Sequence, residues 1–533
     1  MLNLFASTDI ITCSESVFIV LNRVRSSLNP DDFRKAGNRN MDEDVTQLTA
    51  NRNPVGKKTR IFLTLLLFLP CLLIPTGLDN DIWFLLNSGR YVLQHGIPYI
   101  EPFTLHQNMQ FVMQQWLSAV VFWGVFAKLG AAGLIALVSV MFGCTVAVIY
   151  RTTRLLSDGN FLTSFLLTFL TVSFLTPFMT TRPIIFTLFL LSLELYLLER
   201  FIAAGGFKWL IPLPFLSALL VNLHAAMWPV QFVLFLPYLI DSFRFKFRII
   251  EGQGYPKKIL LPAVAAMIAA GFANPYGLDA MTYLLRSYGF AEINLVFEMQ
   301  PANINNLLGK VIFGTLLLII AIYFFYKKGK TRLRYVLLTV GTAILALSST
   351  RSFVLFVLCS FFPLAYYLKD LSIPQSKAVE TTKGARALRA VLIVLLVGML
   401  GYIFVSKYIA AAKTDELPKS APAVDYLAAN GDQDNMRLYT GYDDGGYAEF
   451  MGFKPYIDPR AEVFVKKNNG VDDIMREYYR LQDGETYYKY LLDKYDFTHL
   501  LVGKYDILNT YLPYDGDYRM IYNDGEYAIF VKR

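Results

Sequence analysis

Phe111-Val-Met-Gln-Gln-Trp116-Leu-Ser-Ala-Val-Val-Phe-Trp123-Gly-Val-Phe-Ala-Lys128 is apolar enough to cross a bilayer, and whether it crosses decides how the rest of the chain is threaded. Runs long enough to span the ~30 Å hydrocarbon core recur over most of the first 410 residues. They lie at roughly 61–77, 131–150, 161–179, 183–198, 209–223, 226–241, 259–274, 309–326, 335–349, 352–367 and 388–408. Between them sit Lys57-Lys58-Thr59-Arg60, Arg151 with Arg154, Arg200 with Lys208, and Arg244, Lys246 and Arg248 with Lys257-Lys258. Lys327, Lys328, Lys330, Arg332 and Arg334 follow, then Lys369 through Arg389. With eleven spans and a cytoplasmic N-terminus, every cluster falls on the cytoplasmic side, as the positive-inside bias requires, and the C-terminal segment falls outside. If 111–128 also spanned, Arg151 and Arg154 would move outside. We therefore read 111–128 as a juxtamembrane helix at the outer surface, anchored by Trp116 and Trp123, within a first outer loop covering 78–130.

The composition agrees with a bilayer protein. Of 533 residues 55% are hydrophobic and 17% charged, with mean hydropathy +0.40, against about 25% charged in soluble proteins. The net charge of +8 is unevenly spread. From Lys413 to Arg533 there are 15 basic and 22 acidic residues, and the preceding part holds 35 and 20. A basic membrane part with an acidic tail is what positive-inside topology produces when the tail is outside. Nucleic-acid binding is discounted, because the basic residues sit in short clusters between apolar runs. Cys71, Cys144 and Cys359 fall in apolar runs and Cys13 in the N-terminal tail, so the C-terminal segment folds without disulfides.

Three regions follow: a polar cytoplasmic tail over 1–57, expected to be disordered; a transmembrane domain over 58–410; and an extracytoplasmic domain over 411–533. Residues 1–57 carry no cleavage site of the A-x-A kind and too long a charged lead for a signal peptide. Met41 opens the acidic run Met41-Asp42-Glu43-Asp44 and is a second candidate start. In the last region Ala421–Ala429 reads as a short helix and Val471–Lys494 as helical. Arg437–Thr440, Tyr447–Met451, Ala461–Val465, His499–Val502 and Ala528–Val531 read as strands bounded by Gly, Asp and Pro. This is a small α/β domain, and it holds 17 of the 33 tyrosines.

No P-loop, G-x-S-x-G or H-E-x-x-H occurs. What stands out is polar residues at span ends, all on the outer side: Asp79 and Asp81, Arg182, Asn222 and His224, Asn274 and Tyr276, Glu298, and Arg351. Ionisable groups at membrane depth are costly and default to a functional reading. Arginine in tight outer turns runs against the positive-inside bias. We read Arg351 as a phosphate ligand, and for Arg182 that role and an interfacial one are evenly matched. His224 is as well suited to capping a helix end or hydrogen-bonding a neighbour as to ligating a metal. Asn274-Pro275-Tyr276-Gly277 is favoured as a turn that ends a helix, and Trp83 as an interfacial anchor.

The run Asp79-x-Asp81-x-Trp83 after the first span, followed by Gly89-Arg90-Tyr91-Val92, His95-Gly96-Ile97-Pro98 and Glu101-Pro102-Phe103-Thr104, resembles the GT-C superfamily of polytopic glycosyltransferases. That superfamily includes protein O-mannosyltransferases, aminoarabinose transferases and oligosaccharyltransferase catalytic subunits, and the likeness is greatest to a group of bacterial membrane proteins within or near it. Thr181-Arg182-Pro183, Asn222-Leu223-His224, Asn274-Pro275-Tyr276-Gly277 and Arg351 match that group. So do Tyr442-Asp443-Asp444-Gly445-Gly446-Tyr447 and Tyr456-Ile457-Asp458-Pro459-Arg460-Ala461-Glu462 in the tail. The group often has His after a second aromatic, whereas here Leu85 follows Phe84, so no role for that histidine carries over.

The resemblance implies a plasma-membrane transferase that takes a sugar from a polyprenyl-phosphate donor to a lipid or glycan acceptor of the cell envelope, on the outer face. Inverting transfer needs a carboxylate to take the acceptor's proton and positive charge on the leaving phosphate. Asp81 with Asp79 beside it fits the first, and Arg351 with Arg182 the second. His224, Asn274, Tyr276 and Glu298 are further candidates. Carboxylate oxygens of Asp79, Asp81 or Glu298 would suit a divalent metal ion. The rivals are a transporter or flippase of lipid-linked glycans, which predicts ionisable groups near the midplane, and a non-catalytic envelope scaffold. The tyrosine-rich domain is expected to be a lid.

Overall fold

The computed structural model describes residues 57–287, 299–325, 331–370 and 417–533. The N-terminal tail, Glu298 and the expected span at 388–408 lie outside them. Eleven main helices precede the tail: α1 (Lys57–Leu66), α2 (Ile82–His95), α3 (Trp116–Leu156), α4 (Phe161–Leu175), α5 (Ile184–Ala204) and α6 (Leu213–Leu223), then α7 (Trp228–Asp241), α8 (Lys257–Gly271), α9 (Leu307–Phe325), α10 (Leu333–Ser348) and α11 (Phe353–Phe361).

Among the described residues four helices are long and apolar enough to cross a membrane: Trp116–Leu156, Phe161–Phe178, Leu307–Phe324 and Thr350–Tyr367. Shorter apolar helices include Thr59–Leu72, Phe207–Leu223, Ala225–Asp241, Lys258–Gly271 and Leu333–Ser348. Every expected span before 388 thus falls on helix, but length and hydropathy alone qualify four of them. Helix α5 carries Glu194, Glu199 and Arg200 in its second half.

Helix α3 contains the segment on which the threading turned. It breaks at Gly130, whose φ of 61° and ψ of −159° are open to glycine and closed to residues with a Cβ. The 116–129 half stays within one neighbourhood. At its start Trp116 Nε1 donates to Asn222 Oδ1 (2.9 Å) and Ser118 Oγ to the Leu223 carbonyl (2.7 Å). Towards its other end the Phe126 ring packs edge-on against Trp83 (6.3 Å) and Phe450 (6.1 Å). Gly89 of α2 lies directly on the Ala119 carbonyl, where a Cβ would collide. The second half of α3 runs to Arg151 and Arg154, which share a cavity with Arg200 of α5.

The basic clusters gather at that far end. Strands β1 (Phe245–Phe247) and β2 (Ile250–Gly252) form a hairpin, and β2 pairs in parallel with β3 (Thr331–Arg332). Arg332 meets Glu251 at 2.8 Å, and Lys369 meets Asp158 at 3.1 Å. Arg334, counted from the sequence as one more flanking positive charge, is instead buried. It binds Glu199 (3.1 and 3.2 Å), Asp241 (2.9 Å), Gln253 (2.9 Å) and the Tyr335 hydroxyl (2.9 Å). Tyr238 also donates to Glu199 (2.9 Å). A buried ion cluster holds only when its remaining lone pairs are satisfied, and this one ties α5, α7 and α10 together.

The tail opens with α12 (Ala421–Asn430) and carries β4 (Leu438–Tyr439), α13 (Gly445–Phe450), α14 (Ile474–Gln482), α15 (Tyr488–Tyr495), β5 (His499–Gly503), β6 (Tyr518–Asn523) and β7 (Tyr527–Lys532). The sheet order is β4-β5-β7-β6, with β4 and β5 parallel and the other pairs antiparallel. Two expected strands are helical: 447–451 falls in α13, and Ala461–Phe464 is a short 3₁₀ turn. The expected helix over 471–494 is two helices, and β6 was not expected. Tyr439, Tyr456, Tyr495 and Phe497 interlock as the domain's aromatic core, at centroid separations of 4.9–5.8 Å. Much of the tyrosine enrichment is packing.

Candidate active site

Asp79 and Asp81 stand at the start of α2, and Asp81 is its N-cap residue. The Asp79 carboxylate turns back to accept from the Asp81 amide (3.1 Å), and the Asp79 amide donates to Thr181 Oγ1 (3.1 Å). Arg182, one residue on from Thr181, forms ion pairs with both acids: Nε to Asp79 Oδ1 at 2.8 Å and Nη2 to Asp81 Oδ2 at 3.3 Å. The side chains are not equivalent, Asp79 being 12% exposed and Asp81 26%. Asp79 is the anchored acid and Asp81 the accessible one. The sequence placed Arg182 with the donor phosphate, whereas in the structure it lies between the two carboxylates.

From Arg182 the polar groups continue along the start of α5. Thr187 shares a hydrogen bond with Nδ1 of the buried His224 (2.8 Å). Burial, and then the charge of Arg351, push the His224 imidazole down to about 3, so it is neutral. That coupling places Arg351 on the same side of the bundle as His224. Its turn, Thr350–Ser352, is held by the Thr350 amide on the Gln300 carbonyl (3.1 Å). Phe353 just beyond packs on Phe174 and Phe178, which lead into Thr181-Arg182. Arg351 is exposed and has no carboxylate within ion-pair distance among the described residues.

Asn222, Asn274 and Tyr276 are structural. Asn222 donates to the carbonyls of Ala218 and Ala273 (2.7 Å each) while accepting from Trp116. Asn274 closes the end of α8 by binding the Gly271 and Gly277 carbonyls and the Tyr276 amide. The Tyr276 hydroxyl donates to the Pro98 carbonyl (2.7 Å), pinning the first loop. Glu298 is outside the described residues. Among those residues no three His, Cys, Asp or Glu side chains converge as a metal site, and Arg182 fills the space between the two aspartates.

The tail covers this corner. Asn80 Nδ2 donates to the Asp443 carbonyl (2.5 Å), and the negative charge of Asp81 bears on the half-buried Tyr442. Arg90 Nη2 donates to the Phe450 carbonyl (2.7 Å), and Gln114 to Glu462 (2.6 Å). Trp83, expected as an interfacial anchor, is instead buried against Tyr447 and Phe450 at 5.0 and 5.2 Å. Deeper in the junction Arg460 lies buried among Glu101 of the first loop (2.9 Å), Glu449 (2.7 Å) and Asp458 (Nε, 2.8 Å). Its guanidinium also packs over the rings of Phe103, Phe111 and Phe84. Glu101 further caps the amides of Phe103 and Thr104. The two sequence runs 101–104 and 456–462, picked out separately, are halves of one clamp. Their pairing is not readable from either run.

The structure resembles archaeal oligosaccharyltransferase AglB from Archaeoglobus fulgidus in complex with an inhibitory peptide and a dolichol-phosphate. The TM-score is 0.55 at 10% identity, over 89% of this chain and 74% of that one. It matches the Archaeoglobus fulgidus oligosaccharyltransferase tethered with an acceptor peptide at TM-score 0.52 and 13% identity, over 90% and 74%. At these identities the likeness is one of fold alone, shared with the archaeal oligosaccharyltransferase. ArnT from Cupriavidus metallidurans bound to undecaprenyl phosphate reaches TM-score 0.45 at 10% identity, over 88% and 97%, a likeness too slight to carry an argument. No protein-family model matches the sequence, and no curated protein matches it. On this frame residues from distant parts of the chain converge: Asp79 with Arg182, Trp116 with Asn222, Thr187 with His224, and Glu101 with Arg460.

One ionisable group does not follow the span-end pattern. Glu194, near the middle of α5, is fully buried, and its Oε1 has no hydrogen-bond partner among the described residues. The sequence reading placed every such group at span ends and missed it.

Proposed function

We propose that the chain is a membrane glycosyltransferase that moves a sugar from a polyprenyl-phosphate donor to a cell-envelope acceptor on the outer face. The observation that carries this is the Asp79–Arg182–Asp81 group beneath the tail domain, with the exposed Arg351 turn on the same side of the bundle. The acceptor hydroxyl attacks the sugar's anomeric carbon and its proton passes to Asp81. The bond from that carbon to the phosphate oxygen breaks, and the phosphate leaves with the electron pair towards the Arg351 guanidinium. Arg182 holds the Asp81 carboxylate in place, and Asp79 fixes the Asp81 backbone through its amide. A lipid phosphate stays at the interface, which accounts for a site at the helix ends rather than within the bundle.

The gathering of basic clusters at the opposite end supports an outer location for the site and the tail. The 116–129 helix, confined to the site's end of the bundle, then lies along the outer surface. In membrane vesicles supplied with a radiolabelled polyprenyl-phosphate sugar, the wild type should label an envelope lipid or glycan. Asp81→Asn should lower transfer about 10²–10⁴-fold, the usual contribution of a general base, with donor retention unchanged. Wild-type turnover in Asp81→Asn removes that residue from the mechanism. Glu194 favours the transporter as a second reading, in which Glu194→Gln and not Asp81→Asn would abolish movement of the lipid-linked glycan.

A further inference from the structure

At the opposite end of α5 from Arg182 lies a cavity of about 490 Å³ between the end of α1, the last turns of α3 and α5. Its polar side carries Arg151, Arg154 and Arg200, and its other wall is apolar, with Leu67, Phe68 and Val146. Among the described residues no carboxylate lines it. The nearby acids are already committed, Asp158 to Lys369 and Glu199 to Arg334. None of the three arginines has an ion-pair partner among the described residues, and Arg200 Nε is buried without a hydrogen-bond partner. Trp209 stacks under the Arg200 guanidinium at 4.4 Å and fixes its plane.

Three uncompensated guanidiniums around one concavity repel one another unless an anion joins them, and the planar guanidinium fork suits phosphate oxygens. The apolar wall selects further, since a free hydrated anion gains nothing from Leu67 and Phe68, whereas an acyl chain does. From Ile184 to Arg200 the helix rises about 24 Å at 1.5 Å per residue, which sets this cavity one leaflet away from the Asp79–Arg182 group. We propose that it binds the phosphate of an anionic phospholipid, one per chain, in the leaflet opposite the candidate active site. This rests on the membrane location and not on the transferase reading.

The test is native mass spectrometry of the full chain released from nanodiscs containing equal phosphatidylglycerol and phosphatidylcholine. One phosphatidylglycerol should stay bound in preference to phosphatidylcholine. Arg151→Gln, Arg154→Gln and Arg200→Gln together should abolish that preference, and each alone should weaken retention about tenfold, as expected for a charge-assisted hydrogen bond. Should the triple variant fail to fold, the single changes at the exposed Arg151 and Arg154 carry the test. Lys246→Gln with Lys258→Gln, at the same end but outside the cavity, should change nothing. Equal retention of the two lipids, or retention in the variants like the wild type, overturns the proposal. So does displacement by millimolar inorganic phosphate, which would make the cavity a site for a free anion.

Discussion

Asp79 and Asp81 are two residues apart, yet their surroundings divide the work between them. Asp79 is held by an amide and a guanidinium and is the more enclosed of the two, whereas Asp81, paired to the same guanidinium, is the more accessible. The pair was legible in the sequence because two carboxylates directly after a span are unusual. Arg182's position between them was not, since nothing local fixes which way an arginine in an outer turn points. In the proposed reaction Arg351 is the group whose shape matters most. Arg351→Lys keeps the charge but loses the fork, and should lower transfer at least about tenfold in the vesicle assay while the folded chain is recovered in normal yield. In the covering tail, burial raises Asp444 to about 6, although the Tyr527 hydroxyl donates to it (2.9 Å). Its folded value lies above the unfolded one, so the fold binds this proton more tightly. The resulting stability is full below about pH 4, is lost as pH rises towards 6, and is flat above. Asp444→Asn should remove a slope on the order of 3 kcal/mol across that window, read as the pH dependence of melting in detergent for the two full-length proteins.

Helices were more legible than strands, for a physical reason. Long apolar runs in a bilayer have one solution, and each described run is helical. Short runs in the tail do not. Tyr447–Met451 alternates like a strand, but Gly445 and Gly446 let the backbone press against the Ile457 carbonyl and the first turn of α2, and that approach makes α13 a helix. Strand β6 was missed because it is largely exposed, and its short alternation of Tyr518, Met520 and Tyr522 is interrupted by Arg519 and Asn523 and is not a buried apolar run. The break in α3 rests on Gly130, and the contact of α2 with the first half of α3 rests on Gly89. Gly89→Ala should lower the melting temperature of the whole chain, at a cost of about 1–3 kcal/mol for overpacking. Gly124→Ala in α3, where a Cβ meets nothing within 4 Å, should be neutral or slightly stabilising. Equal effects would mean that the α2–α3 approach is looser than described.

At the scale of the molecule the chain has two ends of different chemistry, with paired acids and arginines under the tail at one and gathered cations at the other. The positive-inside rule assigns sides to those ends: a C-terminal alkaline phosphatase fusion should be active in bacterial cells, and a fluorescent cytoplasmic reporter there should be dark. The reverse pattern would end the outer-face transferase reading. Among the contacts that join the tail to the membrane domain, the Arg460 clamp is the buried charged one. Burial raises Glu449 well above the usual carboxylate range, whereas Asp458, despite burial, is kept low by Arg460. One guanidinium thus balances the charges of Asp458 and Glu101 across the junction. Removing it strands buried acids, and breaking such a pair typically costs about 3–5 kcal/mol. Arg460→Leu should therefore make residues 417–533 protease-sensitive while the membrane helices still resist. Adding Glu101→Gln should restore part of the protection, because it removes one of the stranded charges. If Arg460→Leu leaves the tail as resistant as the wild type, the junction is held by the aromatic contacts of Trp83 with Tyr447 and Phe450 instead, and the clamp's place is in substrate geometry rather than in docking.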